Sequence, residues 1–220
     1  MTAEPPPADD DDAAPAGRRG YHHGNLRQAL VEATLDLIAE KGPQGFTLAE
    51  AAKRAGVSAA APYRHFSGRD EVIAEVARQG FEAFADLLEH AYDDGRPSAL
   101  AAFSATGRAY LAFARRHPGH YVAMFESGVL PGATVELARA AERANRVVLR
   151  AAEALLARVP PGRRPPAAMF AAHVQALSHG IVELFARGKP GGRAPFSPED
   201  LLESGIGVYL RGLGVLDPDR

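Results

Sequence analysis

TLAEAAKRAGVSAAAPYRHF, residues 47–66, reads as two short helices joined by a tight turn. Thr47 and Glu50 have the spacing of a capping box, in which each side chain satisfies a backbone N–H at a helix start. Ala51, Ala52 and Ala55 follow on one face. Gly56 ends the helix where a residue with a Cβ is disfavoured. Val57 is expected to pack inward, and Ser58 is a good N-cap for a second helix. Two helices around a glycine-containing turn of this length form the helix-turn-helix pattern, whose second helix enters the DNA major groove. A plain helical hairpin has the same spacing, so the neighbouring residues decide.

Their charge favours DNA. From Arg18 to Arg69 there are eight Lys or Arg (Arg18, Arg19, Arg27, Lys41, Lys53, Arg54, Arg64, Arg69). Four acids stand against them (Glu32, Asp36, Glu40, Glu50), a local balance of +4 in a chain whose net charge is −2. A basic segment inside a weakly acidic protein is the electrostatic footprint of phosphate binding. Tyr63 and His65 add groups able to hydrogen-bond phosphate oxygens, and Arg69 opens the following helix within reach of the same strand.

Composition excludes several other classes. The 220 residues suffice for one large or two small domains with a sizeable core. Cysteine is absent, which removes disulfides, thiol nucleophiles and thiolate metal sites. No apolar run is long enough for a bilayer, and MTAEPPPADDDDAAPAG is not a signal peptide, so a soluble, cytoplasmic protein is expected, without a membrane partner. His22-His23 and His117/His120 are pairs without the third ligand that a metal needs. There is no nucleophile elbow, P-loop or dinucleotide fingerprint, and Gly205-x-Gly207 lacks a third glycine and a preceding strand. The expectation is a protein that is not an enzyme and needs no cofactor or metal.

Periodicity points to an all-α fold. Residues 1–17, with Asp9 to Asp12 in succession, read as a disordered acidic tail. Leu26, Leu30, Ala33, Leu37 and Ile38 form a stripe after a potential cap at Asn25, and Phe46 should fold back onto it. A long helix is predicted from Arg69 to Tyr92, with Val72, Val76, Phe81, Phe84 and Leu88 inward. Further helices are expected from Ser98 to Arg116, Pro118 to Phe125, Pro131 to Val159, Pro165 to Arg187 and Ser197 to about Gly212. The total is about nine helices: a three-helix head with the helix-turn-helix at 18–68, then a larger helical bundle at 69–215.

These residues carry a resemblance. YHHGNLRQALVEATLDLIAEKG followed by FTLAEAAKRAGVSAAAPYRHFSGRDEVIAEVA resembles the DNA-binding head of TetR-family transcriptional regulators over about residues 21–77. AAHVQALSHGIVEL resembles a helix of one TetR subgroup with Trp before Ala-x-x-His-Gly; here Gln175 takes the Trp position. The resemblance implies a homodimer on a pseudo-palindromic operator in double-stranded DNA, probed by two heads in successive major grooves. It also implies a ligand-binding and dimerisation domain at 69–215, and a repressor released by a small molecule. Carried over by position, Thr47, Tyr63, His65 and Arg69 fall where the family contacts phosphates, and Ser58, Ala59, Ala60, Ala61 and Arg64 where it approaches bases. The three alanines offer only methyl contacts to thymine, which leaves Arg64 and minor-groove contacts by Arg18 and Arg19 to read sequence. Pro62 replaces the usual aliphatic residue in the first turn of the second helix, where a missing N–H costs least.

Candidate effector-site residues are those expected to point into the bundle: Phe103, Tyr110, Tyr121, Met124, Phe125, Phe170 and His173. Without concentrated charge among them, the effector expected is a small apolar or aromatic molecule. Val174, Leu177, Ile181 and Phe185 form one stripe beside Gly180; Leu201, Gly205, Val208 and Tyr209 lie on the last helix. Either stripe suits a monomer core, and the resemblance implies a dimer interface instead, with His179 buried and hydrogen-bonded there. The competing reading is a helical small-molecule-binding or scaffold protein with degenerate DNA recognition.

Overall fold

The computed structural model describes residues 26–186 and 195–217. The acidic tail at 1–17, Arg18, Arg19, His22, His23 and Asn25 lie outside the described residues, as does Arg187. The described chain is all-α, with eight α-helices and no strand: α1 Leu26–Lys41, α2 Leu48–Arg54, α3 Arg69–Tyr92, α4 Ala99–Arg116, α5 Pro118–Phe125, α6 Val135–Leu156, α7 Ala167–Ile181 and α8 Pro198–Leu213. Among the described residues no helix is long and apolar enough to cross a membrane.

Local chemistry fixes most boundaries. The capping box of α2 is formed: the Thr47 N–H donates to Glu50 Oε2 at 2.8 Å, and the Glu50 N–H to Thr47 Oγ1 at 3.2 Å. At the other end Gly56 takes φ +72°. The Val57 N–H then reaches the Ala52 carbonyl at 3.0 Å and the Gly56 N–H the Lys53 carbonyl at 3.1 Å, a Schellman closure. Ser98, Thr134 and Ser197 each cap a helix with a side-chain oxygen.

Three boundaries differ from the sequence expectation. The second helix of the helix-turn-helix is absent as an α-helix; a 3-10 turn, Pro62–Arg64, stands there. In an α-helix opened at Ser58, residue 62 would return its N–H to the Ser58 carbonyl, and proline has none. That carbonyl takes the Ala61 N–H at 3.0 Å, and the tighter pattern continues from His65 to Pro62 at 2.9 Å. Hence eight α-helices stand among the described residues, close to the nine or so expected. Likewise α6 starts only after a 3-10 turn at Pro131–Ala133, once Thr134 supplies the cap. Finally, α7 ends at Ile181 and passes into a π-type turn at Val182–Ala186.

Helix α3 is the spine, packed against α1, α4, α5 and α6, and one continuous apolar core runs from Leu30 and Phe66 through Phe84 to Leu155. Helix α5 is wedged between head and spine. A Cβ on its Gly119 would sit 2.7 Å from Leu35 Cδ1 and 3.0 Å from the Leu35 carbonyl oxygen of α1, so only hydrogen fits. A second tie joins α1 to α3. Glu75 is 7% exposed and accepts from Arg27 at 3.0 Å, Arg78 at 2.7 Å and Gln79 at 3.0 Å. Burial alone would raise its carboxyl, but hydrogen bonds from Arg78, Arg27 and Gln79 outweigh that and hold it down at about 2.

Candidate DNA-binding face and effector site

The capped start of α2 and the 3-10 turn place Thr47 and Tyr63 around one surface depression with Arg69, at the N-terminus of α3. Ser58, Ala59, Ala60, Arg64 and His65 are exposed beside it and Ala61 is half-buried, while Pro62 and Phe66 anchor the segment in the core. Tyr63 is 63% exposed, so its ring is presented rather than packed.

The basic charge is less free than composition suggests. Arg54 is held bidentately by Glu40 at 2.6 and 2.7 Å, and Lys41 by Glu50 at 2.9 Å. Arg27 is taken up by Glu75 and lies over the Phe66 ring at 5.1 Å. Arg69 donates to Gln44 Oε1 at 2.6 Å and has Asp70 at 3.5 Å. Arg64 and Lys53 are exposed and form no ion pair among the described residues. Much of the local excess therefore builds the head, and Arg64 is the cation that the exposed segment itself presents.

Inside the bundle the expected effector residues divide into separate groups. Tyr110 of α4, with Tyr121 and Phe125 of α5, surrounds His179 of α7. The Tyr121 hydroxyl lies 2.6 Å from His179 Nδ1 and the Tyr110 hydroxyl 3.3 Å from the same atom. The Tyr121 and His179 rings stack at 5.7 Å, Phe125 meets His179 at 5.6 Å, and Phe84 meets Tyr110 edge-on at 5.4 Å. Burial pushes the Tyr110 hydroxyl up to about 12, so it remains a neutral donor. Phe103 and Phe170 belong to a second group, 5.4 Å apart, with Tyr209 of α8 at 5.2 Å from Phe170. Met124 packs on Gly80 of α3.

The two histidines of α7 stand opposite to their expected places. His173 is exposed and bonds the Tyr209 hydroxyl at 3.0 Å, whereas His179 turns to the aromatic interior. Six residues on an α-helix amount to about 120° of net rotation, so both cannot face one cavity. Phe84, expected simply as an inward residue of the long helix, lies against Tyr110, and Gln44, in the turn after α1, lies against Arg69.

The stripes expected at a dimer face split too. Val174 and Ile181 are buried in the chain's own core. Leu177 fills the space over Gly205, where a Cβ would come within 2.9 Å, so α7 and α8 pack on each other within the chain. Leu201, Tyr209 and Gly180 are half-buried, while Phe185 and Val208 are exposed. Met169 at 55% and Leu184 at 70% exposure add apolar surface that the sequence did not single out.

Comparison with known proteins matches two separate stretches of the chain. A model of "Bacterial regulatory proteins, tetR family" matches residues 30–76, and a "Tetracyclin repressor-like, C-terminal domain" model matches residues 103–209. A Rhodococcus structure, described as a protein with unknown function, is 29% identical with a TM-score of 0.73, covering 89% of this chain and 99% of its own. PfmR, a TetR family transcriptional regulator from Thermus thermophilus, has a TM-score of 0.64 at 18% identity, over 84% of this chain and 98% of its own, a likeness of fold alone. YobS of Bacillus subtilis, an uncharacterized HTH-type transcriptional regulator, is 29% identical over 104 residues, 46% of this chain. That match spans 51% of YobS, about half its length.

Proposed function

The chain belongs to the TetR family of transcriptional regulators, and from that premise we propose that it is a dimeric repressor of a pseudo-palindromic operator, released by a small molecule. The observation that carries this reading is the clustering of Thr47, Tyr63 and Arg69 around one depression, with Arg64 and His65 exposed beside it. In this reading residues 18–68 bind DNA, and residues 69–215 bind the effector and dimerise, in the cytoplasm and without catalysis or cofactor. Thr47, Tyr63, His65 and Arg69 hold phosphates. Arg64 reads bases alongside methyl contacts from Ala59, Ala60 and Ala61, and Arg18 and Arg19 reach the minor groove.

The 3-10 turn supports modest base readout, because a segment of one turn presents fewer side chains to the groove than a recognition helix does. Affinity then rests mainly on phosphates and falls steeply with salt. For the effector we assign Tyr110, Tyr121 and Phe125 together with His179, a mostly apolar lining with a few polar groups that suits a small apolar or aromatic molecule. Phe103 and Phe170 pack as a separate group with Tyr209, Met124 packs on Gly80, and His173 lies on the outer surface of α7, so these four stand outside that assignment. The outward halves of α7 and α8, with Met169, Gly180, Leu184 and Val208, supply the dimer face.

Selection of bound fragments from genomic DNA, with and without cell metabolites, tests the whole reading. Enrichment of a palindrome that metabolites abolish is expected. Failure to enrich any palindrome favours the second reading, a helical small-molecule-binding or scaffold protein with degenerate DNA recognition, which the three alanines motivate. Sedimentation at micromolar concentration tests the dimer, and a persistent monomer removes that part of the proposal.

A further inference from the structure

The geometry points to Gln44 as a positioning residue that carries the state of the effector bundle to the DNA-contacting Arg69, a role that rests on the DNA-binding reading above. Gln44 is in the turn between α1 and α2, and its amide is used at both ends. Its Oε1 accepts from Arg69 Nη2 at 2.6 Å, and its Nε2 donates to the Ser127 carbonyl at 3.2 Å. Ser127 lies 83 residues away in the loop between α5 and α6. One side chain therefore joins the head, the first turn of the spine and the bundle.

The bundle end of this link is held firmly. Ser127 is buried, its hydroxyl donates to the Ala123 carbonyl at 2.7 Å, and it accepts from the Val129 N–H at 3.1 Å. The position of the Ser127 carbonyl is thus set by the last turn of α5. That same helix carries Tyr121 and Phe125 against His179. On the other side an open cleft of about 870 Å³ runs between Gln44, Arg69 and residues 127–134, so the amide spans the gap with little packing beside it. Gln44 is itself exposed, and nothing in the core depends on it.

The consequence concerns the charge of Arg69. With Gln44 in place the guanidinium is held by a neutral acceptor and keeps its charge available to a phosphate. Without it, the partner that remains is the Asp70 carboxylate, already at 3.5 Å, which would neutralise the group. A shift of the α5–α6 loop that pulls the Ser127 carbonyl away releases one end of the amide. The guanidinium then loses its fixed orientation, although no residue of the head has been touched.

Double-mutant cycles on DNA affinity test this without knowledge of the effector. The full chain is titrated with a random-sequence duplex at several salt concentrations, as Gln44→Met, Arg69→Ala, Ser127→Ala and the paired variants. Gln44→Met keeps length and removes both hydrogen bonds. It is expected to weaken binding about three- to tenfold and to reduce the salt slope by about one phosphate contact. In an Arg69→Ala background the same substitution should change nothing further. Ser127→Ala should weaken binding about two- to fivefold when Gln44 is present and not in the Gln44→Met background. Thermal midpoints, read in parallel, separate these effects from a general loss of fold, which would not cancel in the cycle. Additive effects in either cycle, or no effect of Gln44→Met, overturn the assignment. A wild-type chain that binds no duplex at any salt overturns the DNA-binding reading itself.

Discussion

The Tyr121 hydroxyl and His179 Nδ1 lie 2.6 Å apart, across α5 and α7, with the two rings stacked at 5.7 Å. Tyr110 directs its own hydroxyl to the same nitrogen at 3.3 Å. The nearer phenol, Tyr121, is satisfied when the single lone pair of Nδ1 accepts its proton and the ring proton sits on Nε2, while the Tyr110 hydroxyl also has the Tyr121 oxygen at 3.5 Å. The imidazole is thereby orientated by α5, the helix whose Gly119 rests on Leu35 of the head. Contacts in the bundle interior and contacts with the head are thus made by opposite sides of one eight-residue helix.

Removing that hydroxyl has a defined cost. Tyr121→Phe leaves Nδ1 with Tyr110 alone at 3.3 Å. A loss of about 1 kcal/mol in urea denaturation is expected, with a changed imidazole nitrogen shift by NMR. An unchanged shift means that Nδ1 does not accept from Tyr121.

The buried carboxylate that ties α1 to α3 predicts a response to acid. The Glu75 carboxyl is held at about 2 against an ordinary 4.5, a depressed value. Its stabilisation is therefore complete above the ordinary value and is lost as pH falls from there through about 2. Glu75→Gln should cost about 1–3 kcal/mol at neutral pH, and the variant should lose less stability than wild type between about pH 5 and pH 2. Urea midpoints measured across that range decide it; parallel curves for the two proteins contradict the assignment.

The close approach at Gly119 is a steric claim. Gly119→Ala gains helix propensity but places a Cβ 2.7 Å from Leu35 Cδ1 and 3.0 Å from a backbone oxygen that cannot swing aside. A net loss of about 1–3 kcal/mol is expected, seen as a lower thermal midpoint. A raised midpoint shows that α5 and α1 have room to separate.

Arg64 carries the sequence-reading part of the proposal. Arg64→Ala should lower affinity for a selected operator by about 1–3 kcal/mol while leaving random DNA nearly unaffected. Equal losses on both would make Arg64 a phosphate contact and leave direct readout without a cationic side chain in the exposed segment.

Much of the fold was legible because its determinants are local. The range of α3 follows from the apolar spacing of Val72, Val76, Phe81, Phe84 and Leu88, and those of α4 and α5 from the cap at Ser98 and the Pro at 118. The capping box at Thr47 and the left-handed Gly56 work across three or four residues, so their spacing carries them. Pro62 shows the limit of such reading. A missing N–H is tolerable in a first helical turn, yet the Ser58 carbonyl that Pro62 cannot serve takes the Ala61 N–H instead, and the short helix becomes a 3-10 turn. In a longer helix the remaining hydrogen bonds would have outvoted it.

Caps, periodicity and charge are properties of neighbouring residues, and they suffice for most of the helices, for the capped first helix and glycine turn of the helix-turn-helix, and for the basic segment around it. Helix packing sets which of those charges are taken up by Glu40, Glu50 and Glu75, and leaves Lys53 and Arg64 without an ion pair among the described residues. It also decided that His179 and not His173 faces the aromatic interior, and that Gln44 reaches across 83 residues to Ser127. These relations depend on the rotation and approach of packed helices. Small differences in packing turn a side chain inward or outward, and no local pattern records them.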